Sequence, residues 1–317
     1  MLTTRRAGRA AAAAAATISL ATPFDEFVDS VLNATRMAPV AARDNHAMGF
    51  GMDAALGPHG VRNGSWSEWG VFKGATLKQM SDRYAARGLI YAFDSFDGLP
   101  KTWRPPPPGQ GAAFGRKYLN AGSFAMEGRP PALRLPNVAY VVGLFDRTMP
   151  AFLNEVRRPA SLVHIDCDLY SASKTVLCGL AGRGAIVDGT VLVFDELLGY
   201  PEFRDGEIKA LWECLRHSGL RAHVLGHSVR RLMSWLKAGE KGSEVWPQAV
   251  ALQMVKPDFW TDAPTHRRRQ ARGPRGQRAA VRRQAETKSG ASVAAQMAAA
   301  DPNALSGDAA AFSLEVL

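Results

Sequence analysis

Between about residues 60 and 256, short apolar runs alternate with segments of helical periodicity, and this alternation restricts the fold more than any other feature. Seven runs predict β-strands, at residues 65–69, 89–94, 138–142, 162–166, 190–195, 222–225 and 249–255. Between the first two, Leu77, Met80 and Tyr84 share one face of a helix. Alternating strands and helices imply right-handed crossovers. We therefore expect an α/β fold with a mostly parallel seven-stranded sheet and helices on both faces.

The two ends of the chain differ in composition from this central region. The net charge is +10, yet basic residues concentrate near the ends: the first 20 residues carry no acid, and residues 263–290 carry eight arginines. We therefore expect an Ala/Arg-rich leader at 1–21, a folded domain at 22–262 and a disordered, basic low-complexity tail at 263–317. The leader resembles an organellar transit peptide or a weak secretory signal, and a disordered leader without a targeting role is the alternative.

Location and partners are only loosely restricted by the sequence. No apolar run is long enough to cross a membrane. Cys167, Cys178 and Cys214 lack zinc-ligand spacing, so we expect free thiols in a reducing compartment. This favours a cytoplasmic protein, with organellar targeting by the leader as the alternative. The basic tail can contact nucleic acid or an acidic membrane, although a solvated tail without a specific partner is the simpler explanation.

Glycines and an acid at the ends of the first three predicted strands indicate a nucleoside-containing cofactor. The first strand runs into "SEWGVFKGATL", in which Gly70 and Gly74 allow a ligand to approach the backbone closely. The second ends at Asp94, where a carboxylate can accept both hydroxyls of a ribose. A tight structural turn and a loop-capping Asp are the alternatives. After the third strand, Gly143 lies where an adenine can rest against the backbone.

Acidic residues follow the next two predicted strands. Asp166 and Asp168 end the fourth strand, and Asp195 and Glu196 end the fifth. One crossover separates these strands, so we expect them to be neighbours with converging carboxylates. Ionised carboxylates in one pocket repel each other unless a cation lies among them, and oxygen ligands favour Mg²⁺ or Mn²⁺. The alternative is that one acid caps a helix and another pairs with Lys or Arg.

These motifs resemble the class I S-adenosylmethionine-dependent methyltransferases, and specifically the macrocin O-methyltransferase family. The resemblance covers about residues 64–210 and continues more loosely to 255. It rests on five motifs in the family's order: "SEWGVFKGATL", "YAFDSFDGLP", "VGLFDRTMP", "VHIDCDLYSASKT" and "VFDELLGYPEFRDGEIKA". It implies a Rossmann-like methyltransferase fold, with S-adenosylmethionine and Mg²⁺ as cofactors. The folded domain at 22–262 is then a methyltransferase domain.

The resemblance also implies a role for each matching residue. Glu68, Gly70 and Gly74 would line the methionine end of the cofactor, while Asp94 with Ser95 would hold the ribose and Gly143 the adenine. Asp166, Asp195 and Glu196 would bind the metal, and Asp168 would be the general base. The acceptor would be a hydroxyl of a small molecule, such as a sugar or a glycosylated natural product. Its candidate contacts are Tyr170, Tyr200, Phe203 and Arg204, with His164 as a further candidate.

The chain departs from the family pattern at three places. Leu197 and Leu198 replace the usual aromatic pair after the fifth-strand acids, residues 104–111 form a Pro-rich loop, and residues 228–248 look like an insertion. Two other functions stay open. A glycosyltransferase would use the Asp166-x-Asp168 pair to hold Mn²⁺ and a nucleotide sugar. A non-catalytic binding protein would act through its basic tail. A homo-oligomer is compatible with either.

Overall fold

The computed structural model describes residues 17–41, 47–85, 87–103, 119–200, 202–230 and 246–257, and the backbone of 314–315. All of them belong to one unit of the chain. The predicted Pro-rich loop at 104–111 lies outside the described residues. So do residues 1–16 of the predicted leader and nearly all of the predicted tail.

Nine strands form one mixed sheet, in the order β1-β7-β8-β6-β5-β2-β3-β4-β9. Strands β2 to β6 are parallel to one another, whereas β8 is antiparallel to both β6 and β7. The bounds are β1 Ile18–Ser19, β2 Ser65–Trp69, β3 Ile90–Asp94, β4 Val138–Val142, β5 Ala160–Ile165, β6 Val191–Phe194, β7 Arg221–Arg230, β8 Trp246–Val255 and β9 Leu314–Glu315.

Helices cover both faces of this sheet. They are α1 Phe24–Met37, α2 Met48–Leu56, α3 Ala75–Tyr84, α4 Phe145–Glu155, α5 Tyr170–Gly182 and α6 Glu207–Leu215, with a short 3-10 helix at Phe203–Asp205. Apolar side chains of α1, α4, α5 and α6 pack on one face, and those of α2 and α3 pack on the other. Among the helices of the described residues, none combines the length and the hydropathy that spanning a bilayer requires.

The chain order reverses between β2 and β5. From β2 the chain builds outward through β3 and β4, and then returns to start β5 on the other side of β2. Parallel strands wound outward in both directions from the centre form a doubly wound sheet. This topology confirms the predicted α/β fold with a mostly parallel, Rossmann-like sheet. The seven predicted strands are all present, and two-residue strands at the two edges extend the sheet to nine.

The ordered domain includes residues that lie before the predicted boundary at 22. β1 pairs with β7, and the Arg221 guanidinium donates a hydrogen bond to the Thr17 carbonyl oxygen at 2.8 Å. Leu20 is buried, and the indole N–H of Trp212 donates to the Thr22 carbonyl oxygen at 2.9 Å. At the other end, the backbone of Leu314–Glu315 pairs with β4. Short edge pairings of this kind carry little hydrophobic periodicity, so the pattern of the sequence did not reveal them.

Two expectations about particular segments need correction. The expectation of three free thiols is wrong for Cys178 and Cys214, which form a disulfide between α5 and α6 with 4.8 Å between their Cα atoms. The two cysteines are 36 residues apart, and only the packing of the two helices brings them together. The predicted insertion at 228–248 is shorter, because β7 continues to Arg230 and β8 begins at Trp246.

Candidate active site

A cavity of about 700 Å³ opens at the carboxyl ends of the parallel strands, beside the point between β2 and β5 where the chain order reverses. Ligands of doubly wound sheets bind at such a point, and the volume suits a small molecule. The predicted site residues that line it are Gly70, Asp94, Ser95, Gly143, Asp166, Asp168, Asp195 and Glu196. The structure therefore brings the predicted cofactor side and the predicted acidic side into one cavity.

The glycine turn after β2 lies against the end of β5. Gly70 has a φ of 95°, and a Cβ at this position would lie 1.8 Å from the Asp166 carbonyl oxygen. The Asp94 carboxylate accepts hydrogen bonds from the backbone N–H groups of Val71 and Phe72, both at 2.9 Å, and from that of Phe96 at 2.8 Å. Asp94 thus holds the turn in shape. A carboxylate has about four acceptor positions, so roughly one of them is left for a ligand.

Glu68 and Gly74 do not reach the cavity. The Glu68 side chain is fully buried, where its Oε1 atom accepts a hydrogen bond from the Thr76 hydroxyl and lies 3.0 Å from His164 Nδ1. Its Oε2 atom is buried without a hydrogen-bond partner in the described structure. Gly74 precedes α3 with a φ of 72°, and a Cβ there would lie 2.7 Å from the Leu133 side chain. Neither residue is among the residues that line the cavity.

Four predicted acids converge at the ends of β5 and β6. Asp168, Asp195 and Glu196 are buried, each with less than a tenth of its surface exposed. Asp166 is partly exposed and lines the cavity. Burial, followed by the charges of Asp195 and Asp168, raises the pKa of Asp166 well above its ordinary range. Burial and the same two neighbours also raise the pKa of Glu196. Asp168 has a φ of 57°, an uncommon conformation for a non-glycine residue.

Glu207 is a fifth acid of this cluster, and the sequence motifs did not single it out. It is fully buried at the start of α6, where its Oε2 atom accepts a hydrogen bond from the Glu196 backbone N–H at 3.3 Å. The Ser173 hydroxyl donates to its Oε1 atom at 3.4 Å. Burial, followed by the charges of Asp168 and Asp195, raises the pKa of Glu207 well above its ordinary range. Its only signal in the sequence was its position in the segment "FRDGEIKA", which follows Asp195 and Glu196.

Three of the side chains can hold one cation between them. His164, Asp166 and Asp195 each offer one ligand atom, and these atoms lie within 4.8 Å of one another. Glu196 is outside this group, and its Oε1 atom accepts a hydrogen bond from Gln248 Nε2 at 3.3 Å. One imidazole and two carboxylates form a donor set that suits a divalent ion. The residues present therefore fit a metal. Glu196, the third ligand that the sequence predicted, lines the same cavity but lies outside this group of three.

The predicted acceptor contacts lie away from the cavity. Tyr170 donates its hydroxyl to Glu213 at 2.5 Å on the outer side of α5, and Arg204 forms ion pairs with Asp25 at 2.8 Å and Asp29 at 3.3 Å. Neither of them, nor Phe203, is among the lining residues. Tyr200 is buried and is not among the lining residues, and its ring lies 5.9 Å from that of Trp103, which lines the cavity.

An apolar rim takes the place of those contacts. It consists of Phe72, Trp103, Leu119, Phe124 and Leu144, all of which line the cavity. Phe72 and Phe124 meet edge to face at 5.2 Å between ring centroids, and Phe124 and Leu144 are exposed. These residues come from the three connections that follow β2, β3 and β4, and no single motif in the sequence marks them. The rim offers apolar surface to the part of a ligand that lies outside the acidic cluster.

Comparisons with known proteins give structural neighbours without a family assignment. No protein-family model matches the chain, and no curated protein matches it. Similar solved structures include CalS11, a calicheamicin methyltransferase, with a TM-score of 0.42 and 22% identity over 73% of this chain and 85% of that one. The O-methyltransferase NovP has a TM-score of 0.41 and 14% identity over 66% and 79% of the two chains.

An O-methyltransferase from Bacillus cereus in complex with SAH is a further neighbour. It has a TM-score of 0.38 and 14% identity over 74% of this chain and 90% of that one. At these TM-scores and identities, the likeness assigns neither a family nor an activity to this chain.

Proposed function

We propose that this chain is an S-adenosylmethionine-dependent O-methyltransferase that acts on a hydroxyl of a small molecule with the help of a divalent cation. The observation that carries this proposal is the charge of the cavity. Six carboxylates line it, and no Lys or Arg occurs among its described lining residues. The six are those of Asp94, Asp146, Asp166, Asp168, Asp195 and Glu196. Such a site favours cationic ligands, among them a sulfonium and a metal ion.

The glycine turn forms the cofactor half of the site. Gly70 and Gly143 leave backbone exposed to a ligand, and Asp94 keeps an acceptor position for a ribose hydroxyl while it holds the turn. Ser95 lines the same wall. S-adenosylmethionine, when bound, supplies a methyl group on a positively charged sulfur. The chain itself supplies the orientation of the bound cofactor and acceptor.

The acidic half of the site would hold the cation and the acceptor hydroxyl. Asp166 and Asp195 are the carboxylates best placed to bind a divalent ion. When bound there, the ion supplies a Lewis-acid charge that makes an acceptor hydroxyl easier to ionise. Mg²⁺ and Mn²⁺ are the candidates.

Asp168 is the proposed general base. It lines the cavity next to this pair, and its left-handed backbone directs the chain away from β5 just before α5 begins. In the proposed reaction the Asp168 carboxylate takes the hydroxyl proton, and the oxygen forms a bond to the methyl carbon as the carbon–sulfur bond breaks. The products are a methyl ether and S-adenosylhomocysteine. The resemblance to the macrocin O-methyltransferase family favours a sugar or a glycosylated natural product as the acceptor.

Calorimetric titration of the full chain with S-adenosylhomocysteine, with and without Mg²⁺ or Mn²⁺, tests the proposal. We expect micromolar binding, and methyl transfer to a hydroxylated acceptor that needs the metal. Asp168→Asn should retain cofactor binding and lose at least about 100-fold in kcat, because the amide cannot take the proton. Asp82→Asn, which changes an exposed acid of α3, is the matched control and should behave as the unchanged chain.

Two results would contradict the proposal. One is a folded chain that does not bind S-adenosylhomocysteine at all. The other is metal-dependent binding of a nucleotide sugar in its place, which would favour a glycosyltransferase. A contribution of the basic tail to nucleic-acid binding concerns residues outside the described part of the chain, and removal of residues 263–317 tests it separately.

A further inference from the structure

We propose that His164 is a nitrogen ligand of the divalent cation and that Glu68 holds its ring in place, so that the site is built from one imidazole and two carboxylates. This inference rests on the cation site of the proposed function and changes its chemistry. A site of three carboxylates suits Mg²⁺, whereas an imidazole suits first-row transition metals such as Fe²⁺ or Ni²⁺. Mn²⁺ belongs to that series and also accepts carboxylate ligands, so it serves as the probe. We therefore infer that this cavity selects a transition metal over Mg²⁺.

The strand geometry places the three ligands on one side of the sheet. Side chains alternate along a strand, so His164 and Asp166 point to the same face at the end of β5. β6 is the parallel neighbour of β5, with His164 opposite Val193, and Asp195 follows two residues later. The three ligand atoms lie within 4.8 Å of one another. Ligands at about 2.1 Å from one ion are at most about 4.2 Å apart, so side-chain shifts below about 1 Å complete the site.

Glu68 determines which ring nitrogen is available. Its Oε1 atom lies 3.0 Å from Nδ1 of His164, and both side chains are buried. The two residues are direct partners in the register of β2 and β5. A proton on Nδ1 that is donated to the carboxylate leaves the lone pair on Nε2 for a metal. Carboxylates orient metal-binding histidines in this way, through the ring nitrogen that does not bind the ion.

The burial of the Glu68 carboxyl group fixes its position relative to the ring. Glu68 is completely buried, and its Oε2 atom has no hydrogen-bond partner within the described ranges. Thr76 and His164 are the partners of the other oxygen. Buried polar groups of this kind hold their partners in a fixed geometry. Glu68 therefore fixes the orientation of the His164 ring, as carboxylates do beside metal-binding histidines.

A purely structural role for His164 makes a different prediction. In that case, replacing the ring would change stability and leave the relative affinities for Mn²⁺ and Mg²⁺ unaltered. The two roles are therefore separated by metal selectivity and by direct detection of a metal–nitrogen bond, and not by activity.

The experiment uses the full chain after removal of metal with a chelator. Mn²⁺ and Mg²⁺ are titrated separately, free Mn²⁺ being followed by its electron paramagnetic resonance signal and Mg²⁺ by competition. We expect Mn²⁺ to bind at least about 10-fold more tightly than Mg²⁺. His164→Gln should weaken Mn²⁺ binding by about 10- to 100-fold and Mg²⁺ binding much less, and Glu68→Gln should weaken Mn²⁺ binding by about 10-fold. His227→Gln, which removes another buried strand histidine, is the control and should alter neither affinity.

A second measurement on the unchanged protein does not depend on whether the variants fold. The electron spin-echo spectrum of bound Mn²⁺ should show modulation from a directly coordinated ¹⁴N nucleus. Bound Mn²⁺ without this modulation, or a folded His164→Gln chain with unchanged selectivity, overturns the inference. Nitrogen-coordinated Mn²⁺ in a chain that does not bind S-adenosylhomocysteine would uphold the metal site and reject the methyltransferase, so the two failures are distinguishable.

Discussion

Single residues in this site gain their properties from their neighbours. Glu207 is an ordinary acid in the sequence, but in the fold it is fully buried among Asp168, Glu196 and Ser173. Asp94 reads as a ribose ligand, yet three backbone N–H groups already occupy most of its acceptor positions. At this scale the acidic cluster is an electrostatic cost to the fold, and a cation bound there would relieve it.

Glu207→Gln should stabilise the metal-free protein above pH 7. The folded pKa of Glu207 is raised, so the folded state binds a proton that the unfolded state has lost, and the stability of the unchanged chain falls as pH rises above the unfolded pKa. Gln keeps the hydrogen bonds without this pH dependence. We expect a gain of at least about 1 kcal/mol at pH 8, shrinking towards pH 4, in urea unfolding with chelator present.

Glu213→Gln provides a control of opposite sign. Hydrogen bonds from Lys174 and Tyr170 lower the pKa of Glu213, so its ionised form stabilises the fold above the unfolded pKa and this contribution is lost as pH falls. That variant should therefore be less stable than the unchanged chain at pH 8. Equal pH dependence in all three proteins would contradict the proposed burial of Glu207.

At the scale of the elements, α5 and α6 are joined by both covalent and polar contacts. The Cys178–Cys214 disulfide joins them, the Tyr170 hydroxyl and the Lys174 ammonium both bond to Glu213, and Ser173 bonds to Glu207. α5 begins directly after Asp168, and α6 begins with Glu207. The position of these two helices therefore sets the spacing of the acids at the cavity.

Thiol counting tests the disulfide directly. The denatured, unreduced chain should show one reactive thiol, that of Cys167, and the reduced chain should show three. The native chain should react slowly, because burial raises the pKa of the Cys167 thiol and restricts access to it. Three reactive thiols in the denatured, unreduced chain would restore the original expectation of free cysteines.

Removal of the disulfide should lower the free energy of unfolding. Cys214→Ser opens a loop of 36 residues and should cost about 3–4 kcal/mol in urea unfolding, chiefly because the unfolded chain gains freedom. The Cys178→Ser/Cys214→Ser double variant is the control. It should be no less stable than the single variant, since both remove the same bond.

At the scale of the whole molecule, the sheet extends beyond the motif-bearing strands at both edges. β1 pairs with β7, and the residues that follow it pack on the domain through Leu20, which is 1% exposed. A segment with the composition of a leader thus supplies part of the core. The extension protects the edge of β7, which would otherwise present unpaired backbone groups.

Leu20→Ala should destabilise the full chain by about 2–5 kcal/mol, as truncation of a buried leucine does. The measurement is urea or thermal unfolding followed by circular dichroism. Ala21→Ser, at the exposed neighbouring position, should change the free energy of unfolding by less than about 0.5 kcal/mol. Equal stability of the two variants would mean that this segment does not contribute to the core.

The fold class, and the strand ends at which the cavity opens, were predictable from the sequence alone. Apolar runs of strand length, separated by amphipathic helical segments, predicted a mostly parallel sheet with helices on both faces. This was possible because hydrophobic periodicity is a local property of the sequence. Residues at the ends of these strands predicted part of the cavity lining, since the carboxyl ends of parallel strands meet at one edge of the sheet. Gly70, Asp166, Asp168 and Asp195 were found in this way.

The partners of these residues, in contrast, depend on the tertiary structure. The register of β2 against β5 places Glu68 opposite His164, and the packing of α5 on α6 joins two cysteines that were expected to be free. The same packing buries Glu207, whereas Tyr170 and Arg204 are engaged by acids on the outer surface. These contacts join residues far apart in the chain, and no local spacing encodes them because they depend on how whole elements pack.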